Sequence, residues 1–270
     1  MKISKATVVG LFRSFGLMHM VDKTMYFQQS LKNKKANQAF KSKYPQLNFP
    51  PDYILFESFG LNYEKYYKGG KESALWIKEK IERHIDLKNK RILDWGCGPA
   101  RIIRHLPEMV GNDCQYFGTD YNPVTIKWCS SKIEGITFNR NDLNPPMIYA
   151  DNSFDVIYGI SIFTHLSAKN HESWAAELYR ILQKNGILMI TSHGQAFEEK
   201  LTSSEAKRYN EGKLITRGRA IEGHRVYTAF QPPKYMKNLL ESKGFKIMDH
   251  LIGVKQHWGI EQDTWILKKE

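Results

Sequence analysis

Residues 91–101, Arg-Ile-Leu-Asp-Trp-Gly-Cys-Gly-Pro-Ala-Arg, join an acid near the end of a short apolar run to two glycines flanking a cysteine. Gly96 and Gly98 permit positive φ and carry no Cβ, so a ligand can lie directly against their backbone. Pro99 suits the first turn of a helix, where its missing N–H costs nothing. Strand, glycine turn and helix start together make a nucleotide-type binding corner. A phosphate-binding dinucleotide corner fits less well. Asp94 stands two residues before the first glycine, the G-x-G-x-x-G spacing is missing, and Arg101 occupies its third-glycine position.

This corner needs a sheet edge to hold it, and the chain supplies one. Strands are expected at Arg91–Trp95, Gln115–Thr119, Ile136–Asn139, Phe154–Ile160 and Ile187–Ser192, with a closing pair at Phe245–Leu251 and Asp263–Leu267. Helices are expected between them at Ala100–Leu106, Pro123–Lys132, His171–Leu182 and Pro233–Lys243, with Asn185-Gly186 as a left-handed stop before the fifth strand. Strict alternation implies a parallel sheet with helices on both faces. Glu72–His84 reads as an amphipathic helix leading into the first strand, and residues 11–43 read as helical and basic. The division expected is a basic helical extension and aromatic-rich cap over residues 1–70, then the α/β domain over 71–270. Residues 193–232 break the alternation as a basic, glycine-containing insertion placed where a lid belongs.

The segment at 94–100 resembles motif I of the class I S-adenosylmethionine-dependent methyltransferases, with Ala100 at the third glycine position. That resemblance covers roughly residues 72–195 and the closing strand pair. It implies a Rossmann-like, seven-stranded, mostly parallel sheet with an antiparallel last strand, and S-adenosyl-L-methionine as cofactor. It also implies methyl transfer by in-line displacement, in which the protein mainly positions two reactants. Asp94, Gly96, Cys97 and Gly98 would meet the methionine end, largely through backbone. Asp120, at the end of the second strand, is placed to accept both ribose hydroxyls, and Tyr121 to stack on adenine. Asp142 would accept from the adenine amino group and the Leu143 backbone would meet the ring. Ile160 and Ser161, closing the fourth strand, would lie beside the transferable methyl.

Two histidines are candidate general bases, because their ordinary pKa lies near neutrality: His165, in Phe-Thr-His-Leu, and His193, at the end of the fifth strand. His224 and Arg225 in the insertion are weaker candidates, with an ordinary surface histidine the default for His224 and His257. The three cysteines, Cys97, Cys114 and Cys129, lack metal-ligand spacing, so no metal is expected and reduced thiols in a cytoplasm fit; that the protein is of a bacterial type is implied by the resemblance alone.

The charge of +12 is concentrated at the start: residues 1–50 hold nine Lys or Arg against Asp22 alone, a net of +8. Such a leader suits an anionic membrane surface, RNA or an acidic substrate, or simply a solvated face. No apolar run reaches the length of a membrane span and no signal peptide is evident. A cytoplasmic protein, peripheral at most to the inner membrane surface, is the expectation. The acceptor expected is an oxygen of a small molecule or glycan sugar, with Tyr53–Tyr67 as one wall and insertion arginines meeting any carboxylate or phosphate. An RNA or protein methyltransferase and a non-catalytic cofactor-binding module are the alternatives. Against nucleic acid stands the missing Asn/Asp-Pro-Pro-Tyr signature after the fourth strand, where Ile160–Phe163 lies instead.

Overall fold

A computed structural model describes residues 17–218 and 220–270. Residues 11–16 of the expected basic helix, with the earlier Lys2 and Lys5, and Arg219 of the insertion lie outside the described residues. The N-terminal part is α1 (Met18–Lys43), α2 (Asp52–Ser58) and α3 (Tyr63–Ile81). Phe40, Leu55, Phe56, Leu61, Tyr63 and Tyr66 bury one another there. Buried Asn37 ties α1 to the α2–α3 turn, accepting from the Tyr63 N–H at 3.0 Å.

The division expected at residue 70 falls inside α3, because Gly69-Gly70 continues the helix and does not break it. A Cβ on Gly70 would stand 2.1 Å from the Arg101 carbonyl oxygen, so glycine there lets α3 seat against the turn after the first strand.

The alternating segment gives β1 (Arg91–Trp95), α4 (Leu106–Val110), β2 (Gln115–Asp120), α5 (Pro123–Lys132), β3 (Ile136–Arg140), β4 (Phe154–Gly159), α6 (Ala168–Ile181) and β5 (Leu182–Ser192). The insertion holds α7 (Ser203–Asn210) and the hairpin β6 (Ile215–Arg217)–β7 (Thr228–Phe230). After it come α8 (Pro233–Ser242), β8 (Phe245–Leu251), the small pair β9 (Lys255–Gln256) and β10 (Gly259–Ile260), and β11 (Asp263–Lys269).

Seven of these strands form one sheet in the order β3–β2–β1–β4–β5–β11–β8. The first five are parallel, and β11 runs antiparallel to both its neighbours. This is the mostly parallel, Rossmann-like sheet expected. Alternate residues feed two cores: Ile92, Tyr116, Val156, Ile187 and Met189 on one face, Leu93, Trp95, Ile157, Leu188 and Ile190 on the other.

One local expectation fails. Ala100–Leu106 is not an α-helix: Ala100 takes φ +56°, a 3₁₀ turn spans Ile103–His105, and α4 begins only at Leu106. Pro107 accounts for the late start, since its ring opposes a helical carbonyl four residues earlier and its position suits a first turn. The fifth strand also starts earlier than expected, at Leu182, with Asn185 at φ +65° inside it. By contrast α5 starts where expected, its N-cap Asn122 accepting the Val124 and Thr125 N–H groups at 3.0 and 3.3 Å.

Candidate active site

The strand order reverses between β1 and β4, and ligands of open α/β sheets bind at such a reversal, beyond the carboxyl ends of the strands. The turns after β1, β2, β3 and β4 line a cleft there, with Gly96, Gly98, Asp120, Tyr121, Asn141, Asp142, Leu143, Ile160, Ser161 and His165 all contributing.

Gly96, Gly98 and Ala100 take φ of +76°, +50° and +56°, coiling the turn tightly around the end of β2. The Thr119 carbonyl accepts the Gly96 and Cys97 N–H groups, each at 2.8 Å. A Cβ on Gly96 would come within 2.1 Å of Ile162 Cδ1, so only glycine lets the turn after β4 close over it.

Asp120 is the anchor of the cleft. Its Oδ2 accepts the Gly98 N–H at 3.1 Å and its Oδ1 the Asn122 N–H at 2.8 Å. Burial pushes its pKa up to about 6, against the pull of those two hydrogen bonds. Asp142 is exposed at the rim, 3.6 Å from Arg140. The Leu143 carbonyl accepts the Trp174 indole N–H at 2.9 Å, which fixes the turn after β3. The Asn141 side-chain oxygen is buried and has no hydrogen-bond partner among the described residues.

After β4 the chain turns at Ser161, whose φ is +67°. Its N–H donates to Thr191 Oγ1 at 2.7 Å, and its hydroxyl accepts from Gln262 Nε2 at 2.8 Å. Thr191 in turn donates to Gln262 Oε1 at 2.6 Å, so β5 and the residue before β11 hold this turn. Four residues on, His165 Nδ1 lies 2.8 Å from the Tyr227 carbonyl. A carbonyl can only accept, so Nδ1 carries the proton and Nε2 presents a lone pair. Burial pushes this imidazole below its ordinary value of 6.5, which keeps it neutral.

Residues 92–186 match the family model for a methyltransferase domain. The chain carries the class I S-adenosylmethionine-dependent methyltransferase fold. Among solved structures, it is similar to a SAM-dependent methyltransferase of Methanosarcina mazei, with 19% identity, 70% of this chain and 96% of that one covered, and a TM-score of 0.54. An S-adenosylmethionine-dependent methyltransferase of Mesorhizobium loti gives 14% identity, 73% and 98% coverage, and 0.55. Curated relatives include O-methyltransferase 3 of Dictyostelium discoideum, 24% identical over 64% of this chain. Another is a tRNA N(3)-methylcytidine methyltransferase of Schizosaccharomyces pombe, 26% identical over 74%. The chain spans 40% and 66% of the lengths of these two.

The cofactor of this methyltransferase fold is S-adenosylmethionine, and the cleft fits it. An adenosyl group offers hydroxyl and amino donors. The cleft offers the Asp120 and Asp142 carboxylates and the unpartnered Asn141 oxygen as acceptors. Among the described residues no cluster of three or more His, Cys, Asp or Glu is arranged to hold a metal ion.

Three residues singled out from sequence do not line the cleft. Asp94 is buried beneath it beside Tyr158 and Arg101; burial pushes its carboxyl up to about 7. Cys97 turns its thiol inward, where a Cβ on Gly118 would sit 3.1 Å from the sulfur, and burial raises its pKa well above the ordinary range. His193 hydrogen-bonds the Ala229 carbonyl at 2.9 Å and stacks on Phe197 at 4.1 Å, with burial pushing it down to about 4.

Other residues enter that no motif marked. Ile54, Glu57 and Ser58 of α2 form one wall, while most of the neighbouring tyrosines and phenylalanines pack in the N-terminal core. Gly223, His224 and Arg225 of the insertion complete that wall. His224 Nε2 lies 3.3 Å from Glu57 Oε1, so the weaker candidate whose default is an ordinary surface histidine joins the insertion to α2. Arg225 donates to the Phe56 carbonyl at 3.1 Å, stands 3.6 Å from Asp22, and stacks over the Phe56 ring at 4.1 Å. The Gly223 N–H donates to the His165 carbonyl at 2.9 Å, and Glu222 accepts the Ser167 N–H at 2.6 Å. The only sequence signal for these pairings is the basic insertion itself, since Glu57 and His224 are 167 positions apart.

Proposed function

We propose that the protein is an S-adenosylmethionine-dependent methyltransferase acting on a hydroxyl oxygen of a small molecule or of a sugar unit in a glycan. The observation that carries this reading is His165: it lines the cleft, and its imidazole is neutral and fixed in one tautomer with Nε2 as the free acceptor. When bound, S-adenosylmethionine supplies a methyl group already activated on a sulfonium. Asp120 would hold the ribose hydroxyls, Asp142 and Asn141 would accept from the adenine amino group, and the Leu143 backbone would meet the ring beside Tyr121. The backbone of Gly96, Gly98, Ile160 and Ser161 would line the methionine end. His165 Nε2 takes the acceptor hydroxyl proton as the oxygen attacks, and Tyr227 holds the imidazole in place.

Charge supports a neutral acceptor over an anionic one. Arg225, the arginine at the cleft, is engaged by Asp22 and the Phe56 carbonyl. Arg217 is held by Glu205 at 2.7 Å, away from the cleft. Neither is placed to meet a phosphate, which weighs against the RNA reading.

The test is incubation with methyl-labelled cofactor and fractionated metabolites, glycans, RNA and protein. Label is expected in an ether on a small hydroxyl compound or glycan; label in RNA or protein alone would overturn the reading. On the acceptor so found, His165→Ala is expected to lower kcat by about a hundredfold to ten-thousandfold. Cofactor affinity should hold. The wild-type rate should fall as pH drops through a value below 6.5, where the imidazole takes its proton, and the variant should lose that limb. An unchanged kcat in the variant removes His165 as base.

A further inference from the structure

The basic leader plays no part in the chemistry above, yet α1 has two distinct faces. The inner face carries Asp22, Asn37 and Phe40, all buried against the cap and insertion. The outer face runs Leu17, Met20, Thr24, Phe27 and Leu31, spaced alternately three and four apart, so they form one strip. Met20, Phe27 and Leu31 are 64, 63 and 60% exposed. Lys23, Lys34 and Lys35 flank or extend the strip and are exposed, with no ion pair among the described residues. The leader's one acid, Asp22, points the other way and is engaged with Arg225.

From this arrangement we propose that the outer face of α1 docks the protein on an anionic lipid surface. Apolar side chains along the middle of a helix can enter the headgroup boundary while flanking lysines meet lipid phosphates and carboxylates. A second copy of the chain fits poorly, since it would bring two lysine-flanked strips together and the four apolar side chains Leu17, Met20, Phe27 and Leu31 are too few for a standard interface. RNA would leave Met20 and Leu31 without a use. Among the described residues no helix is long and apolar enough to cross a membrane, so the attachment is peripheral. The contact also reaches the site: Asp22 and His19 on α1 lie beside Arg225 and His224 of the cleft wall.

The experiment is co-sedimentation of the full chain with vesicles of phosphatidylcholine alone or with about 30% phosphatidylserine. Binding is expected only to the anionic vesicles and should fall steeply with added salt. A Lys23→Glu/Lys34→Glu/Lys35→Glu variant should bind more than about a hundredfold more weakly. Phe27→Glu/Leu31→Glu, altering exposed positions only, should also lose most binding while keeping cofactor affinity. No difference between the two vesicle types, or full binding by either variant, overturns the proposal. So does a dimer in sedimentation velocity that Phe27→Glu dissolves, or RNA binding in place of vesicle binding.

Discussion

The cleft has two walls of different origin. One is made by the turns after β1, β2, β3 and β4, each supplied within about 70 residues of chain and each fixed by the strand that precedes it. The other is made by α2 and by the segment around Gly223, which meet through single contacts such as Glu57 with His224. The first wall rests on a continuous sheet and its two cores. The second rests on the smaller N-terminal core behind α2 and on a few side-chain pairs that join α2 to the insertion. A cofactor shared by a whole fold suits the rigid wall, while an acceptor that differs from enzyme to enzyme suits the wall that can change without disturbing the sheet.

The contrast can be broken most sharply at Asp120. Asp120→Ala removes the carboxylate expected to hold two hydroxyls and also frees the Gly98 and Asn122 N–H groups. Cofactor affinity by calorimetry is expected to drop by at least about a hundredfold, with the cooperative unfolding transition preserved. An unchanged affinity would show that the strand-end wall is not the cofactor wall.

A second measurement uses acidity. The ionised carboxylate is the acceptor proposed for the ribose hydroxyls, and burial pushes its pKa up to about 6, above the usual range for aspartate. Affinity is therefore expected to weaken by about tenfold as pH falls from 7 to 5, because protonation removes the acceptor. In Asp120→Asn that pH dependence should disappear.

Smaller effects are expected from the opposite wall. Glu57→Gln removes the charge facing His224 while keeping the shape, and is expected to cost about threefold to fivefold in acceptor KM, with cofactor affinity nearly unchanged. A loss of cofactor affinity as large as that of Asp120→Ala would mean the two walls act as one.

The strand-end wall was largely legible in the sequence because its determinants are local. Glycines at 96 and 98, an acid at 120 and alternating strand and helix patterns each announce a backbone requirement. Where local reading failed, a single residue explains it. Pro107 delays the helix after β1, and Gly70 is a close-packing glycine inside a helix, recognisable only once Arg101 lies beside it. Asp94 and Cys97 were identified as part of a turn that does line the cleft, but their side chains point below it, and no spacing rule separates backbone contact from side-chain contact. Glu57 and Gln262 carry no signal in the sequence, and His224 stands there only as a weaker candidate, for a different reason. Their partners lie 65 to 167 positions away, and such pairings leave no periodicity to read.

The tie between Gln262 and Ser161 bears on how the protein is made. Synthesis proceeds from the N-terminus, so the turn after β4 leaves the ribosome about 100 residues before the side chain that fastens it. β11 must then slot between β5 and β8, both of which are already complete. A nascent chain can hold its glycine turn and Asp120 early, yet the Ser161 end of the cleft acquires its shape only when one of the last strands arrives.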